Sequence, residues 1–117
     1  MVGPMSIGSF VNTVRTGLGT ALLVNAVPHG VAAALGKPFP TPYADPPGIG
    51  FSSPLENGGW SAMNLLAGVL LIRRRPDVRR TRAEITTAVV AAVSMTGYLT
   101  WHFAVSAPEK RSQLASA

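Results

Sequence analysis

Asn25 and His29 stand four residues apart, as do Trp60 and Asn64, and Tyr98 and His102. On a helix that spacing puts each pair on one face. Gly17 and Ala21 extend the first stripe, Gly68 the second and Ser94 the third. Imidazole, amide and phenol groups converging in one place can hydrogen-bond a small ligand, and two imidazoles on different helices can ligate a b-type haem axially. The candidate ligand site is therefore Asn25, His29, Asn64, Tyr98 and His102. The plainer reading of the same residues is that the amides tie helices together and the histidines satisfy their polar edges near an interface. No cofactor is expected, with b-haem as the alternative, and no metal site is expected. A zinc ion would need Asp45 or Glu56 to complete its ligand set.

The elements that hold these residues read as three apolar helices. Residues 16 to 36 carry no charge, and about 21 helical residues cover roughly 31 Å, the thickness of a hydrocarbon core. Arg15 sits just before this run, while Gly36 and Pro38 form a stop signal after it. Ser53 and Glu56, three residues apart with Pro54 between them, read as a capping box that starts a second helix. The third apolar run extends from about Ala83 to Ala107, where Pro108 is expected to end it. The expected fold is an all-α membrane protein of one domain, with spans at about 15–36, 54–74 and 83–107.

Six arginines, Arg73, Arg74, Arg75, Arg79, Arg80 and Arg82, crowd the ten residues 73–82 between the second and third runs. Basic residues concentrate in the cytoplasmic loops of membrane proteins, so this cluster places the amino terminus inside and the carboxyl terminus outside. It can also attract anionic lipid headgroups. Residues 37–53 then form a long outer loop containing Pro38, Pro40, Pro42, Pro46 and Pro47. Prolines forbid a helix there, and Phe39, Tyr43 and Phe51 favour an ordered lid packed on the helix ends. Tyr43, Trp60, Tyr98, Trp101 and Phe103 fall on the same outer side, as an anchoring belt or as the lining of a pocket. Depth counting puts Asn25 and Asn64 both roughly 15 Å from the outer helix ends, where they can pair. Pro28 is expected to kink the first helix and free the Val24 carbonyl.

Composition narrows the function. With 13% charged and 47% hydrophobic residues, the chain falls far from a soluble domain's balance. The net charge of +5 comes mainly from one loop, without the interleaved aromatics of a nucleic-acid module, so no nucleic-acid partner is expected. The absence of cysteine excludes disulfides, thiolate metal sites and covalent c-type haem. Ala32, Ala33 and Ala34 before Leu35 offer a signal-peptidase pattern, but Pro28, His29 and Gly30 interrupt the apolar core ahead of it. Ser52 and Ser53 suit turn and capping roles, and Gly48 and Gly50 follow prolines as a turn rather than opening a phosphate-binding helix. No nucleophile–base arrangement is evident.

The stretch from Asn25 to His29, the proline-rich block from Gly36 to Pro54, and Asn64 with the two leucines after it resemble a family of small uncharacterised bacterial integral membrane proteins. Those are loosely similar to DoxX-like proteins in their first helix, although the DoxX-like group usually has four spans. The resemblance implies a multi-pass protein of the bacterial cytoplasmic membrane. The expected role is a non-enzymatic accessory subunit that packs against a larger membrane protein or a second copy of itself within the lipid bilayer. The alternative is a membrane protein that binds a lipid, quinone or b-haem near the outer leaflet.

Overall fold

The computed structural model describes residues 4–117. Its main helices are α1 (Ile7–Ala34), α2 (Pro54–Ile72) and α3 (Arg82–Trp101); a π turn at His102–Ser106 then leads into α4 (Ala107–Ala115). The chain runs up α1, over a lid of residues 37–53, down α2, through the arginine loop and up α3. One end of the bundle is therefore capped by the lid and the other by the arginines.

Local chemistry sets the helix ends. The Ser6 side chain accepts from the Ser9 amide and starts α1 well before Arg15. Gly36 (φ 65°) ends it: its amide reaches the Ala33 carbonyl and the Lys37 amide reaches that of Ala32, a Schellman closure that needs the left-handed backbone. Ser53 and Glu56 form the expected capping box at the start of α2. A second capping box, Thr81 with Glu84, starts α3 and carries the same Ser/Thr-x-x-Glu signature in the sequence.

Pro108 does not end the third helix. The chain stays helical from Arg82 to Ala115, a 34-residue element about 51 Å long. Pro108 has no amide hydrogen to donate, and the turn before it widens: the Ala107 amide bonds the His102 carbonyl five residues back. A π turn of this kind inserts a residue into the helical repeat and changes which side chains face inward. α1 likewise continues through Pro28 as helix.

α1 is the centre of the bundle. It packs along α2 and, less extensively, along α3, while no Cα atom of α2 lies within 8 Å of one in α3. The α1–α2 seam closes at two glycines. A Cβ placed on Gly68 would lie 2.9 Å from the Gly19 carbonyl oxygen, and one on Gly19 would lie 2.9 Å from that of Gly68. Small residues permit such backbone approach. The expected stripe therefore holds for Gly68, but its partner is Gly19, whereas Gly17 faces Thr87 of α3.

Two helices are long and apolar enough to cross a membrane, Ile7–Ala34 and Arg82–Ala115. α2 is not a third by that measure, because Glu56, Asn57, Gly58, Gly59 and Asn64 dilute its apolar residues. The two apolar helices differ from the core helices of a soluble protein in having only 28% and 6% of their most apolar windows buried. Among the described residues the buried apolar side chains are four alanines and Leu99, whereas Thr16, His29, Thr41, Ser52, Asn57, Asn64, Glu84 and Ser106 are buried polar ones. Leu18, Val31, Leu66, Val89 and Val93 point outward. The polarity of the molecule is inverted: polar groups inside, aliphatic ones outside.

Candidate functional site

The lid end is built around Asn57, which is fully buried. Its amide nitrogen reaches the carbonyls of Phe39 (2.8 Å), Ser53 (3.1 Å) and Ser52 (3.3 Å). Carbonyl oxygens only accept, so this fixes the orientation of the amide and leaves Asn57 Oδ1 as the atom facing His29 Nδ1, 2.7 Å away. His29 must therefore carry its hydrogen on Nδ1. Nε2 then holds a lone pair, and it makes no hydrogen bond among the described residues. The imidazole is itself 2% exposed and is held edge-to-face by Phe39, Phe103 and Trp60 at centroid distances of 5.4, 5.7 and 6.4 Å.

The lid is ordered, as its aromatic residues predict. Phe39 and Ser52 pair as an antiparallel bridge, with hydrogen bonds of 3.2 and 3.0 Å. Below them the buried hydroxyls of Thr41 and Ser52 meet at 2.5 Å, and the Thr41 carbonyl accepts from the Gly48 amide. The lid is then fastened to the third helix at two points. His102 Nε2 donates to the Gly48 carbonyl at 2.8 Å, and Arg111 donates to the Ile49 carbonyl at 2.5 Å while its guanidinium lies 4.4 Å above the Phe51 ring. His102 and Phe103 open the π turn and both face inward, one to the lid and one to His29.

Deeper in the bundle, Asn25 donates to Asn64 Oδ1 at 3.1 Å, the pairing that depth counting anticipates. Asn64 in turn donates to the Trp60 carbonyl at 2.8 Å, which fixes its orientation and leaves Asn25 Oδ1 as an unmatched acceptor. Asn25, His29, Trp60, Tyr98 and His102 line a common chamber of about 180 Å³ between α2 and the third helix. The indole N–H of Trp60 is buried and has no acceptor among the described residues. A larger apolar groove, about 590 Å³, shares Leu99 and Phe103 with the chamber and is otherwise lined by Phe39, Val24 and Thr100 among others.

Four of the five residues expected at the site line the chamber, and Asn64 stands behind it, orienting Asn25. Tyr98 is half exposed and stacks on His102 at 5.8 Å, whereas Ser94, expected on the same stripe, faces outward. The aromatics divide: Trp60 and Phe103 pack inward and line the chamber, while Tyr43, Tyr98 and Trp101 keep more than half their surface exposed, Tyr43 with its ring edge-to-face on Trp60 at 5.3 Å. Glu56, weighed as a metal ligand, is taken up by the capping box. Among the described residues no three His, Cys, Asp or Glu side chains gather as a metal site. No family model, curated protein or solved structure matches this chain.

At the opposite end the arginine cluster is more than a charge signal. Arg74 is almost buried and reaches Glu84 at 2.5 Å, the Asn12 carbonyl at 2.9 Å and Thr16 Oγ1 at 3.1 Å. Glu84 also accepts from Thr16 and from the Thr81 amide, so the pair joins α1, the end of α2 and the start of α3. Arg15 donates to the Leu70 carbonyl and Arg80 to that of Ile72, covering carbonyls that the end of α2 leaves unpaired. Arg75 makes only a surface contact with Asp77 at 3.6 Å. No sequence pattern marks Asn57 or Arg111, whereas Thr81 and Glu84 show a legible capping signature.

Proposed function

We propose that this is a small multi-pass protein of the bacterial cytoplasmic membrane whose lid end binds an apolar or amphiphilic ligand in the outer leaflet. The inverted polarity supports the membrane setting: aliphatic side chains cover the outside, and most buried polar groups satisfy one another inside, as a bilayer requires. In this reading α2 crosses as well, with its polar residues turned toward α1 and the lid. The amino terminus and the arginine loop lie in the cytoplasm, and the lid and carboxyl terminus lie outside. The bacterial assignment rests solely on the resemblance of the proline-rich block to the small bacterial membrane proteins named above.

The observation that carries the binding role is the locked His29 tautomer. A histidine held rigidly by Asn57, with its lone pair left free in a chamber beside an unmatched Asn25 oxygen, is a preorganised acceptor site. It is a poor haem ligand pair, since His102 Nε2 is already bonded to Gly48 and the chamber is small. Binding, rather than turnover, is the role proposed. Mass spectrometry of lipids retained by the purified protein tests it: His29→Ala and Asn64→Ala are expected to lower the retained ligand, and unchanged retention in both would reject the site. The cysteine-free chain also permits a clean topology test with Asp77→Cys and Ser116→Cys, which should be labelled from opposite faces.

A second reading rests on a different observation. Because α2 and α3 do not meet, the bundle leaves a furrow beside α1 in which a helix of a larger membrane protein, or of a second copy, can pack. That accessory role predicts a defined partner recovered from native membranes by cross-linking from the α2–α3 furrow.

A further inference from the structure

The unmatched polar atoms of the chamber specify the chemistry of its occupant. Asn25 Oδ1 and His29 Nε2 are acceptors, the Trp60 N–H is a buried donor without a partner, and Tyr98, whose hydroxyl can donate or accept, lines the rim with no hydrogen bond among the described residues. No charged side chain lines the chamber. A carboxylate or phosphate would find neutral donors at Trp60 and Tyr98 but no cation to balance its charge and two acceptors facing it, and an ammonium group would meet no carboxylate. A hydroxyl fits both needs, because it donates one hydrogen and accepts through its lone pairs. The volume of about 180 Å³ is the share of about six waters, room for a small head and not for a branched phospholipid headgroup.

The remainder of such a molecule has one evident route. Met95 and Tyr98 bound the chamber on the α3 side and Trp60 bounds it on the α2 side, and these two helices make no close approach. α2 and α3 both pack on α1 without meeting each other, so the chamber borders the furrow left between them over α1. We infer that the chamber takes the head of an uncharged, single-chain lipid bearing a hydroxyl, of the long-chain alcohol or monoacylglycerol kind. Its hydroxyl donates to His29 Nε2, its oxygen accepts from Trp60, and its chain lies in the α2–α3 furrow.

This inference rests on the binding role proposed above, and one experiment separates the two. Native mass spectrometry of the full chain, released from micelles after incubation with hexadecanol, hexadecyl methyl ether or hexadecanoate, counts bound ligand directly. One hexadecanol per chain is expected. The ether keeps the oxygen but cannot donate, and should bind roughly tenfold less, the worth of about one hydrogen bond. His29→Phe keeps the aromatic packing, removes the acceptor and should produce a similar loss. Met95→Trp leaves the His29–Asn57 pair intact and should block the chamber, whereas Thr100→Trp, in the adjoining apolar groove, should leave binding unchanged. Equal binding of alcohol and ether, or binding of hexadecanoate as tight as that of hexadecanol, would overturn the hydroxyl assignment. If a co-purified lipid of another class is lost in Met95→Trp while hexadecanol fails to bind, the binding role stands and this inference falls. If neither hexadecanol nor any co-purified lipid responds to Met95→Trp, both fall.

Discussion

At the arginine end, Glu84 meets Arg74, Thr16 and the Thr81 amide in one knot, and the polar groups of three chain segments are matched almost entirely to one another. At the lid end, His29 has only Asn57, and Asn25, His29 and Trp60 each keep a polar atom with no partner among the described residues. Both ends bury polar side chains between helices of low polarity. The first arrangement is that of a fastening and the second that of a receptor, because buried groups matched internally hold a fold together while unmatched ones await an external partner. The contrast is incomplete at one atom: Arg74 Nε is also buried and unpaired.

Removing one member of the knot should have the largest effect in the molecule. Arg74→Ala leaves the Glu84 carboxylate buried against Thr16 without its counter-charge, and a buried pair broken in this way costs about 3–5 kcal/mol. Unfolding in mixed micelles should show that loss. Replacing both partners, as Arg74→Met with Glu84→Leu, should recover most of it, because no charge is then stranded. If the double variant is as unstable as the single one, the knot owes its effect to shape and hydrogen bonding, and the contrast with the lid end weakens.

Asn57→Ala comes next. It removes the donor to three lid carbonyls and the acceptor of His29, so about 2–3 kcal/mol is expected, the cost of stranding buried polar groups. The loss should be local. Proteolysis within residues 37–53 should rise before the helices melt, while Arg74→Ala should loosen the whole bundle. Simultaneous loss of both would mean that lid and helices unfold as one unit.

What the sequence made legible follows the range of the interaction. The capping box at Ser53 and Glu56 and the stop at Gly36 depend on residues within a few positions, and both are where the pattern places them. The Asn25–Asn64 pair spans 39 positions, yet helix rise alone puts the two residues at one depth. Thr81 and Glu84 carry the same capping signature, set within a run of arginines whose dominant signal is topology. Pro108 misled because the usual rule assumes that the helix keeps its 3.6-residue turn, whereas the π turn ahead of it absorbs the missing amide. Asn57 was beyond reach. Its importance depends on a lid that folds so that three carbonyls converge on one side chain, and no periodicity encodes that.

Packing at the seam between the two ends should respond less than either polar cluster. Gly68→Ala places a methyl 2.9 Å from the Gly19 carbonyl and 2.8 Å from the Leu23 side chain. Leu23 can turn aside but the backbone cannot, so α1 and α2 must separate slightly, at about 1–3 kcal/mol. Asn25 and Asn64 bridge the same two helices, so the variant should also weaken their hydrogen bond. A drop in lipid retention together with stability would show that the seam sets the spacing of the chamber; a drop in stability alone would confine its role to packing.

The smallest effect is expected at the rim of the lid, where it distinguishes fastening from binding most directly. Arg111 lies over Phe51 and donates to the Ile49 carbonyl, but it does not line the chamber. Its contact with the ring, at a half-buried position, is worth about 1 kcal/mol. Arg111→Ala should therefore raise proteolysis of the lid modestly and leave the amount of bound lipid unchanged. Arg111→Lys should behave much like the alanine variant, since an ammonium group lacks the planar face that stacks on Phe51. If lipid exchange accelerates in both variants while equilibrium retention stays constant, the lid acts as a gate over the chamber and Arg111 is its latch. If retention falls in step with lid stability, the lid contributes to the site itself, and the division between a fastened end and a receptive end must be drawn below the lid rather than through it.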